Sequence, residues 1–232
     1  MDRPGDLQKP ARTVAVSPSH KSSPSGAKAV YLILYNSFSA LLWLVVLGRV
    51  LLIAPLYGYQ NVYLGVAEFT KWTQTLATLE VLHSLLGIVR APLLTTLMQV
   101  ASRLLLVWGI VHNFPNTTGR SSPAYSTMLI AWSVTEVIRY SYFAVNLAYG
   151  RVPWWMTWLR YNTFFVLYPL GISSECWLVW SAIAPAKTWN AALEWVLRLI
   201  LFVYIPGSYV LFTHMMAQRK KVMRSLREDK AE

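Results

Sequence analysis

The segment FFVLYPLGISSECWLVW, residues 164–180, is apolar enough to lie in a membrane yet carries residues that a plain membrane anchor would avoid. An α-helix needs roughly 20 mostly apolar residues to cross the hydrocarbon core of a bilayer. The proline and glycine in this segment weaken a helix, and its glutamate costs free energy in a bilayer. We therefore interpret it as a membrane-embedded helix whose polar residues have a function.

The rest of the chain repeats the apolar part of this pattern. Of its 232 residues, 55% are hydrophobic, and they gather into runs of membrane-spanning length rather than into short amphipathic faces. The sequence predicts an all-α, polytopic membrane helix bundle with six transmembrane helices. The predicted spans are 30–53, 74–90, 93–113, 124–149, 159–182 and 193–217. The second span is the least hydrophobic, so four or five spans are alternative interpretations.

The net charge of +11 is concentrated near the two ends of the chain. Residues 1–29, rich in Ser, Pro and Lys, are predicted to be a disordered tail, 30–217 the transmembrane catalytic domain and 218–232 a basic tail. The positive-inside rule predicts that both tails are cytosolic and contact membrane lipid, and no nucleic-acid partner is predicted. The glycosylation sequon at Asn116 falls in a loop predicted to face away from the cytosol, although its closeness to the membrane argues against modification.

Ionisable residues inside membrane spans are functional candidates, because they cost free energy unless they are paired or face a cavity. Here they are Glu80, His83, Arg103, Glu136, Arg139 and Glu175. A spacing of three puts Glu80 and His83 on one helix face and Glu136 and Arg139 on another, where the second pair is typical of an intrahelical ion pair. No metal site is predicted, because His83 has no second histidine at a ligand spacing.

Glu175 has no cation within reach on its own predicted helix. A buried carboxyl without a cation favours its protonated form, so Glu175 is a candidate for proton transfer. The alternative is an ion pair with Arg103 or Arg139 from another span.

Tyr168 lies seven residues before Glu175, so on a helix both side chains project from one face, about 10 Å apart along the axis. Pro169 and Gly171 between them predict a broken helix, with Tyr168 pushed out of helical geometry. Broken helix at membrane depth is tolerated where it lines a cavity. The sequence thus predicts a pocket with a phenol and a carboxyl on its wall, which suits acid–base chemistry.

Four stretches of the chain resemble one family of membrane enzymes: LEVLHSLLGIV (79–89), QVASR (99–103), WSVTEVIRYSYF (132–143) and LRYNTFFVLYPLGISSE (159–175). They are similar, in order, to stretches of the very-long-chain (3R)-3-hydroxyacyl-CoA dehydratases of the endoplasmic reticulum, also called the protein tyrosine phosphatase-like family.

The resemblance implies the third step of very-long-chain fatty acid elongation, in which a (3R)-3-hydroxyacyl-CoA loses water to give the trans-2-enoyl-CoA without a cofactor. It implies that Tyr168 and Glu175 are the catalytic pair, while the other intramembrane ionisable residues stay candidates for support or substrate binding. Which member of the pair is the base is left open. The resemblance also implies a six-span endoplasmic reticulum protein that works with an elongase, a ketoacyl reductase and an enoyl reductase.

A transporter, a non-catalytic scaffold and a cysteine phosphatase are the alternatives to a dehydratase. A transporter would also use broken helices and intramembrane charges, and a non-catalytic scaffold of lipid-synthesis enzymes would keep the spans. A cysteine phosphatase needs an arginine six residues after its cysteine, where this chain has Ala182 after Cys176, so that activity is excluded.

Overall fold

The computed structural model describes residues 26–228, and every regular element within that range is helical. The α-helices are α1 (Gly26–Tyr57), α2 (Val62–Thr75), α3 (Thr78–Leu85), α4 (Leu93–Leu104), α5 (Pro115–Thr118), α6 (Ala124–Tyr149), α7 (Trp154–Asn162), α8 (Phe164–Trp189) and α9 (Ala191–Glu228). A 3-10 turn, Tyr59–Asn61, joins α1 to α2, and a π-helical stretch, Leu105–Val111, continues α4. Most of the predicted disordered tail, 1–29, lies outside the described residues.

Four helical segments of the described chain are long and apolar enough to cross a membrane: Gly26–Tyr57, Leu93–Val111, Trp154–Trp189 and Ala191–Arg224. The prediction of an all-helical membrane protein is therefore confirmed, but only four of the six predicted spans meet this criterion. Of the other two, α2 and α3 are too short, with 14 and 8 residues, and α6 is long enough but less apolar. Six spans remain a prediction.

The second predicted span, 74–90, was wrong in its limits. Helix α2 begins at Val62, and α3 ends at Leu85, with a turn at Leu76 and Ala77 between them. Hydropathy misses α2 because Lys71 is polar, although packing buries all but 6% of it. Gly87, with φ of 65°, then turns the chain from α3 towards α4.

The predicted break in α8 was also wrong. Helix α8 runs without interruption through Pro169 and Gly171, so Tyr168 is helical, and the break lies earlier, at Thr163. A proline within a membrane helix removes one backbone hydrogen bond, a loss that neighbouring helices can offset. Here α8 packs extensively against both α6 and α9.

Helix α6 lies at the centre of the bundle and packs most extensively against α1 and α8. Its Met128 and Leu129 belong to a continuous buried cluster with Trp43 of α1, Leu106 of the π-helical stretch and Leu178 of α8. Helix α9, in contrast, exposes most of its apolar side chains. It runs on to Glu228, so the described part of the predicted basic tail is helical.

Candidate active site

Four charged residues of α3, α4 and α6 that the sequence predicts to lie in the membrane form one network, defined here as Glu80, Arg103, Glu136 and Arg139. Glu136, only 1% exposed, accepts hydrogen bonds from Arg103 and from Arg139, whose Nε lies 2.7 Å from its Oε2. Arg139 also donates from Nη1 and Nη2 to the two carboxylate oxygens of Glu80, at 2.8 Å each. Tyr140 completes the cluster by donating to Glu80. Each charge thus has an opposite charge at contact distance, which lowers its cost in a bilayer.

The predicted ion pair between Glu136 and Arg139 on one helix face is confirmed. Glu80 and His83 do not act as a pair: Glu80 turns towards α6, while His83 Nε2 lies 2.7 Å from the Tyr31 hydroxyl of α1. The ring of His83 also makes an edge contact with Tyr35. His83 therefore connects α3 to α1 rather than joining the charge network.

Arg103 lies two residues before the π-helical stretch that continues α4. Such stretches change the direction in which side chains project and often occur at functional sites. From this position the guanidinium of Arg103 reaches Glu136 and also lies over the Trp132 ring, 4.7 Å from its centroid. The sequence offered no sign of this irregularity.

Glu175 is buried between α6, α8 and α9, with only 8% of it exposed. The indole Nε1 of Trp132 donates to its Oε1 at 2.8 Å, and the Tyr204 hydroxyl donates to its Oε2 at 3.0 Å. The alternative of an ion pair with Arg103 or Arg139 is wrong, since both arginines bind the carboxylates of the network instead. Glu175 thus has a donor on each oxygen and, among the side chains of residues 26–224, no cation at contact distance.

Tyr168 faces α9 from the same side of α8 as Glu175, and its hydroxyl donates to the backbone carbonyl of Ser208 at 2.9 Å. Tyr204 and Ser208, the α9 partners of the two α8 side chains, lie one helical turn apart. Gly171 lies between Tyr168 and Glu175 on α8, where a methyl group would come 3.9 Å from Glu175 Oε1. The space that the missing side chain leaves between Ala131 and Glu175 is called here the Gly171 gap.

Trp132 joins this pair to the charge network. One edge of its ring donates to Glu175, and its face receives the guanidinium of Arg103. An arginine over an indole ring is a favourable cation–π arrangement. The Trp132 side chain therefore lies between the charge network and Glu175.

A cavity of about 890 Å³ lies on the other side of the network, between α1, α3, α4 and α6. Glu80, Arg103, Arg139 and His83 line it, together with residues of the turn from α3 to α4. Tyr168 and Glu175 are not among its lining residues, so this cavity is not the predicted pocket with both groups on its wall, which stays a prediction. Instead, Arg103 and Trp132 separate the cavity from Glu175.

Sequence analysis missed Trp132 and Tyr204 as site residues. Tyr204 belongs to a run that looks like a simple span, yet the sequence Tyr204-Ile-Pro-Gly resembles Tyr168-Pro-Leu-Gly in having a tyrosine, a proline and a glycine together. That similarity was the available signal. Asn116, the first residue of the predicted sequon, lies exposed in α5.

Comparison with known proteins gives a consistent result over most of the chain. The sequence profile of the family described as protein tyrosine phosphatase-like protein, PTPLA, matches residues 74–225. A Schizosaccharomyces pombe protein named as a probable very-long-chain (3R)-3-hydroxyacyl-CoA dehydratase is 45% identical over 203 residues, 85% of this chain and 94% of the relative. The rice dehydratase PASTICCINO 2A is 41% identical over 212 residues, covering 86% and 95% of the two chains.

A human relative, very-long-chain (3R)-3-hydroxyacyl-CoA dehydratase 2, is 33% identical over 214 residues, covering 86% of this chain and 83% of its own. No solved structure matches the chain significantly. The matched region contains the charge network, Trp132, Tyr168, Glu175 and Tyr204. The chain therefore belongs to the protein tyrosine phosphatase-like (PTPLA) family.

Proposed function

We propose that this protein is a dehydratase that removes water from (3R)-3-hydroxyacyl-CoA to give trans-2-enoyl-CoA, the third step of very-long-chain fatty acid elongation. The observation that carries the proposal is a buried carboxyl, Glu175, on the same helix face as a phenol, Tyr168, in a membrane-embedded bundle. The dehydratases named among the relatives support the substrate class.

The reaction needs one base and one acid. The base removes a proton from C2, the electrons of that C–H bond form the C2–C3 double bond, and the C3–O bond breaks. The leaving hydroxide takes a proton from the acid and departs as water. The protein has to supply only one proton acceptor and one proton donor, so two positioned side chains are sufficient.

Glu175 is the proposed base. As a carboxylate it can accept the C2 proton, and Trp132 and Tyr204 hold both of its oxygens by hydrogen bonds. Two donors of this kind stabilise the ionised form and fix the orientation of the carboxyl group. Trp132 and Tyr204 are therefore proposed as positioning residues.

Tyr168 is the proposed acid. Its hydroxyl donates to a backbone carbonyl, which means that it carries a proton available for transfer to the departing hydroxide. The Gly171 gap borders Glu175 on the helix that also carries Tyr168, and we propose that C2 and C3 of the substrate reach the catalytic pair there. Arg103, the cation closest to Glu175 through Trp132, is the proposed source of positive charge for the thioester oxygen.

The setting is proposed to be the endoplasmic reticulum membrane, with six spans and both termini in the cytosol. Exposed tryptophans at both ends of the α7–α8 segment, Trp154 and Trp189, are typical of the two interfaces of a membrane. An elongase, a ketoacyl reductase and an enoyl reductase are the proposed partners, since they would supply the substrate and consume the product.

The direct test uses purified protein in detergent or nanodiscs with a series of (3R)-3-hydroxyacyl-CoA substrates of increasing chain length. We expect trans-2-enoyl-CoA, identified by mass spectrometry, without any added cofactor. If wild-type protein forms no enoyl product at any chain length, the function is wrong, and a transporter or a scaffold becomes the better hypothesis.

Replacing Tyr168 by Phe should lower kcat for dehydration roughly 100-fold or more, because the leaving hydroxide loses its proton donor. The ring and its contact with Phe212 are kept, so the melting temperature should change little. Tyr209→Phe, on an exposed tyrosine of α9, is the matched control and should keep wild-type kcat. A Tyr168→Phe variant with wild-type kcat would exclude Tyr168 as the acid.

Replacing Gly171 by Ala should reduce kcat/KM about tenfold or more while the protein stays folded. The added methyl would lie 3.7 Å from Ala131 Cβ, an ordinary contact, so the bundle tolerates it. It would occupy the Gly171 gap, and one extra carbon in a substrate site typically costs a factor of roughly 10 to 200. Gly48→Ala in α1, where an added methyl meets no atom within 4 Å, is the control for the change in helix propensity. Equal kcat/KM for both variants would mean that substrate does not use the gap.

A further inference from the structure

The cavity between α1, α3, α4 and α6 has the size of a ligand site, and the catalytic pair does not use it. Its volume of about 890 Å³ lies within the range of roughly 300–1,000 Å³ usual for small-molecule sites. On α1 both Lys28 and Asn36 line it, and these residues are separated by about 12 Å of helix. The cleft is therefore at least about 12 Å long, and it reaches the buried side chain of Asn36.

The outer end of the cleft carries two cations. Lys28 belongs to the first turn of α1, and Arg90 is an exposed residue of the connection between α3 and α4. Neither has a carboxylate at contact distance among the side chains of residues 26–224, in contrast to the arginines of the network. Unpaired cations at the mouth of a cleft attract an anionic ligand and can bind its phosphate groups.

The inner end of the cleft carries the charge network, in which two arginines are paired with two glutamates. Arg103 and Arg139 line the cleft, and Glu80 is the one carboxylate among its lining residues. Gln74, Gln99 and Asn146 add amide groups that can donate or accept hydrogen bonds along the wall. The cleft thus suits a long ligand with phosphates at one end and polar amide groups along its length.

We propose that this cleft binds the CoA part of the substrate, with its phosphates at Lys28 and Arg90 and its amide-bearing arm directed inwards towards Arg103. This inference rests on the proposed dehydratase function for the identity of the ligand. The thioester end of the arm then lies beside Trp132, whose other edge contacts the catalytic carboxyl of Glu175. Three of the four sequence stretches that resemble the dehydratases contribute to this cleft through Glu80, Arg103 and Arg139.

A phospholipid headgroup offers the same phosphate chemistry, and the cleft opens at the predicted membrane surface, so the experiment has to separate the two sources. Free CoA has phosphates and the amide arm but no acyl chain. A 3-hydroxyacyl-pantetheine has the arm and the reacting carbons but no phosphate. Anionic phosphatidylserine has a phosphate but no pantetheine arm.

The test compares wild-type protein with the double variant Lys28→Ala/Arg90→Ala, in nanodiscs of phosphatidylcholine with and without phosphatidylserine. Calorimetry measures the binding of free CoA, and kinetics measures KM and kcat for 3-hydroxyacyl-CoA and 3-hydroxyacyl-pantetheine. Arg151→Ala removes an exposed cation of the loop between α6 and α7 and is the charge control.

For the double variant we expect CoA binding to weaken about tenfold and KM for the acyl-CoA to rise by a similar factor, with kcat unchanged. Kinetics with the acyl-pantetheine should not change, and Arg151→Ala should match wild type. Undetectable CoA binding by wild type, equal CoA binding by the double variant, or an effect seen only with phosphatidylserine would overturn the inference. Because CoA binding is measured without turnover, a wild-type protein that binds CoA but forms no enoyl product would contradict the dehydratase function and not the cleft.

Discussion

Replacing Glu175 by Gln should lower kcat for dehydration roughly 100- to 10,000-fold, the usual contribution of a positioned general base. An amide keeps the shape of the side chain: its oxygen can accept the hydrogen bond from Trp132, and its NH2 group can donate to the Tyr204 hydroxyl oxygen, but it cannot take the C2 proton. KM should change little, because the groups proposed to bind CoA are untouched. Initial rates with saturating 3-hydroxyacyl-CoA provide the measurement.

The matched control is Glu194→Gln, which removes a carboxyl from α9 whose partners are Lys187 and Arg198. It should keep wild-type kcat. If Glu175→Gln retained wild-type turnover as well, the base would have to be sought elsewhere, and Glu80 in the cleft would be the first alternative.

Replacing Glu136 by Gln should destabilise the protein by about 3–5 kcal/mol, because the change leaves a buried arginine without its carboxylate. Glu136 is almost wholly buried and is the acidic partner of both Arg103 and Arg139. Arg139 keeps Glu80, whereas Arg103 loses its one carboxylate among the described residues. The melting temperature in detergent should fall by roughly 10 °C.

The double variant Arg103→Gln/Glu136→Gln distinguishes an unpaired charge from a general packing defect. Removing both charges leaves the pair of Arg139 and Glu80 intact, so part of the lost stability should return. A Glu136→Gln protein that melts at the wild-type temperature would mean that the charge network does not stabilise the bundle. A double variant less stable than Glu136→Gln alone would show that the single variant fails through packing.

Hydropathy and the cost of charge in a bilayer predicted much of this structure. The predicted fourth span, 124–149, coincides with α6, because Pro123 precedes the helix and Gly150 ends it with φ of 68°. The same reasoning failed for α2, where packing buries polar residues such as Lys71 that a hydropathy scale assigns to a loop. The predicted break at Pro169 failed for a similar reason: the packing of α8 against α6 and α9 outweighs the tendency of proline to interrupt a helix.

The charged residues of the site were easier to predict from the sequence than the contacts between them. A charge within an apolar run is visible in the sequence, so Glu80 and Arg139 were found, but their contact joins residues 59 positions apart and depends on how α3 packs against α6. Tyr204 was missed because its contact with Glu175 also joins residues far apart in the sequence, here 29 positions. A tyrosine in a lipid-facing helix becomes significant only when α9 brings its hydroxyl to Glu175.

If Glu175 transfers the C2 proton of an acyl-CoA, the reverse reaction in heavy water should depend on it. Wild-type protein given trans-2-enoyl-CoA in D2O should form 3-hydroxyacyl-CoA with deuterium at C2, detected by mass spectrometry. Glu175→Gln should incorporate deuterium at C2 at least 100-fold more slowly, following the contribution of a general base. Incorporation by Glu175→Gln at the wild-type rate would exclude Glu175 as the group that transfers the C2 proton.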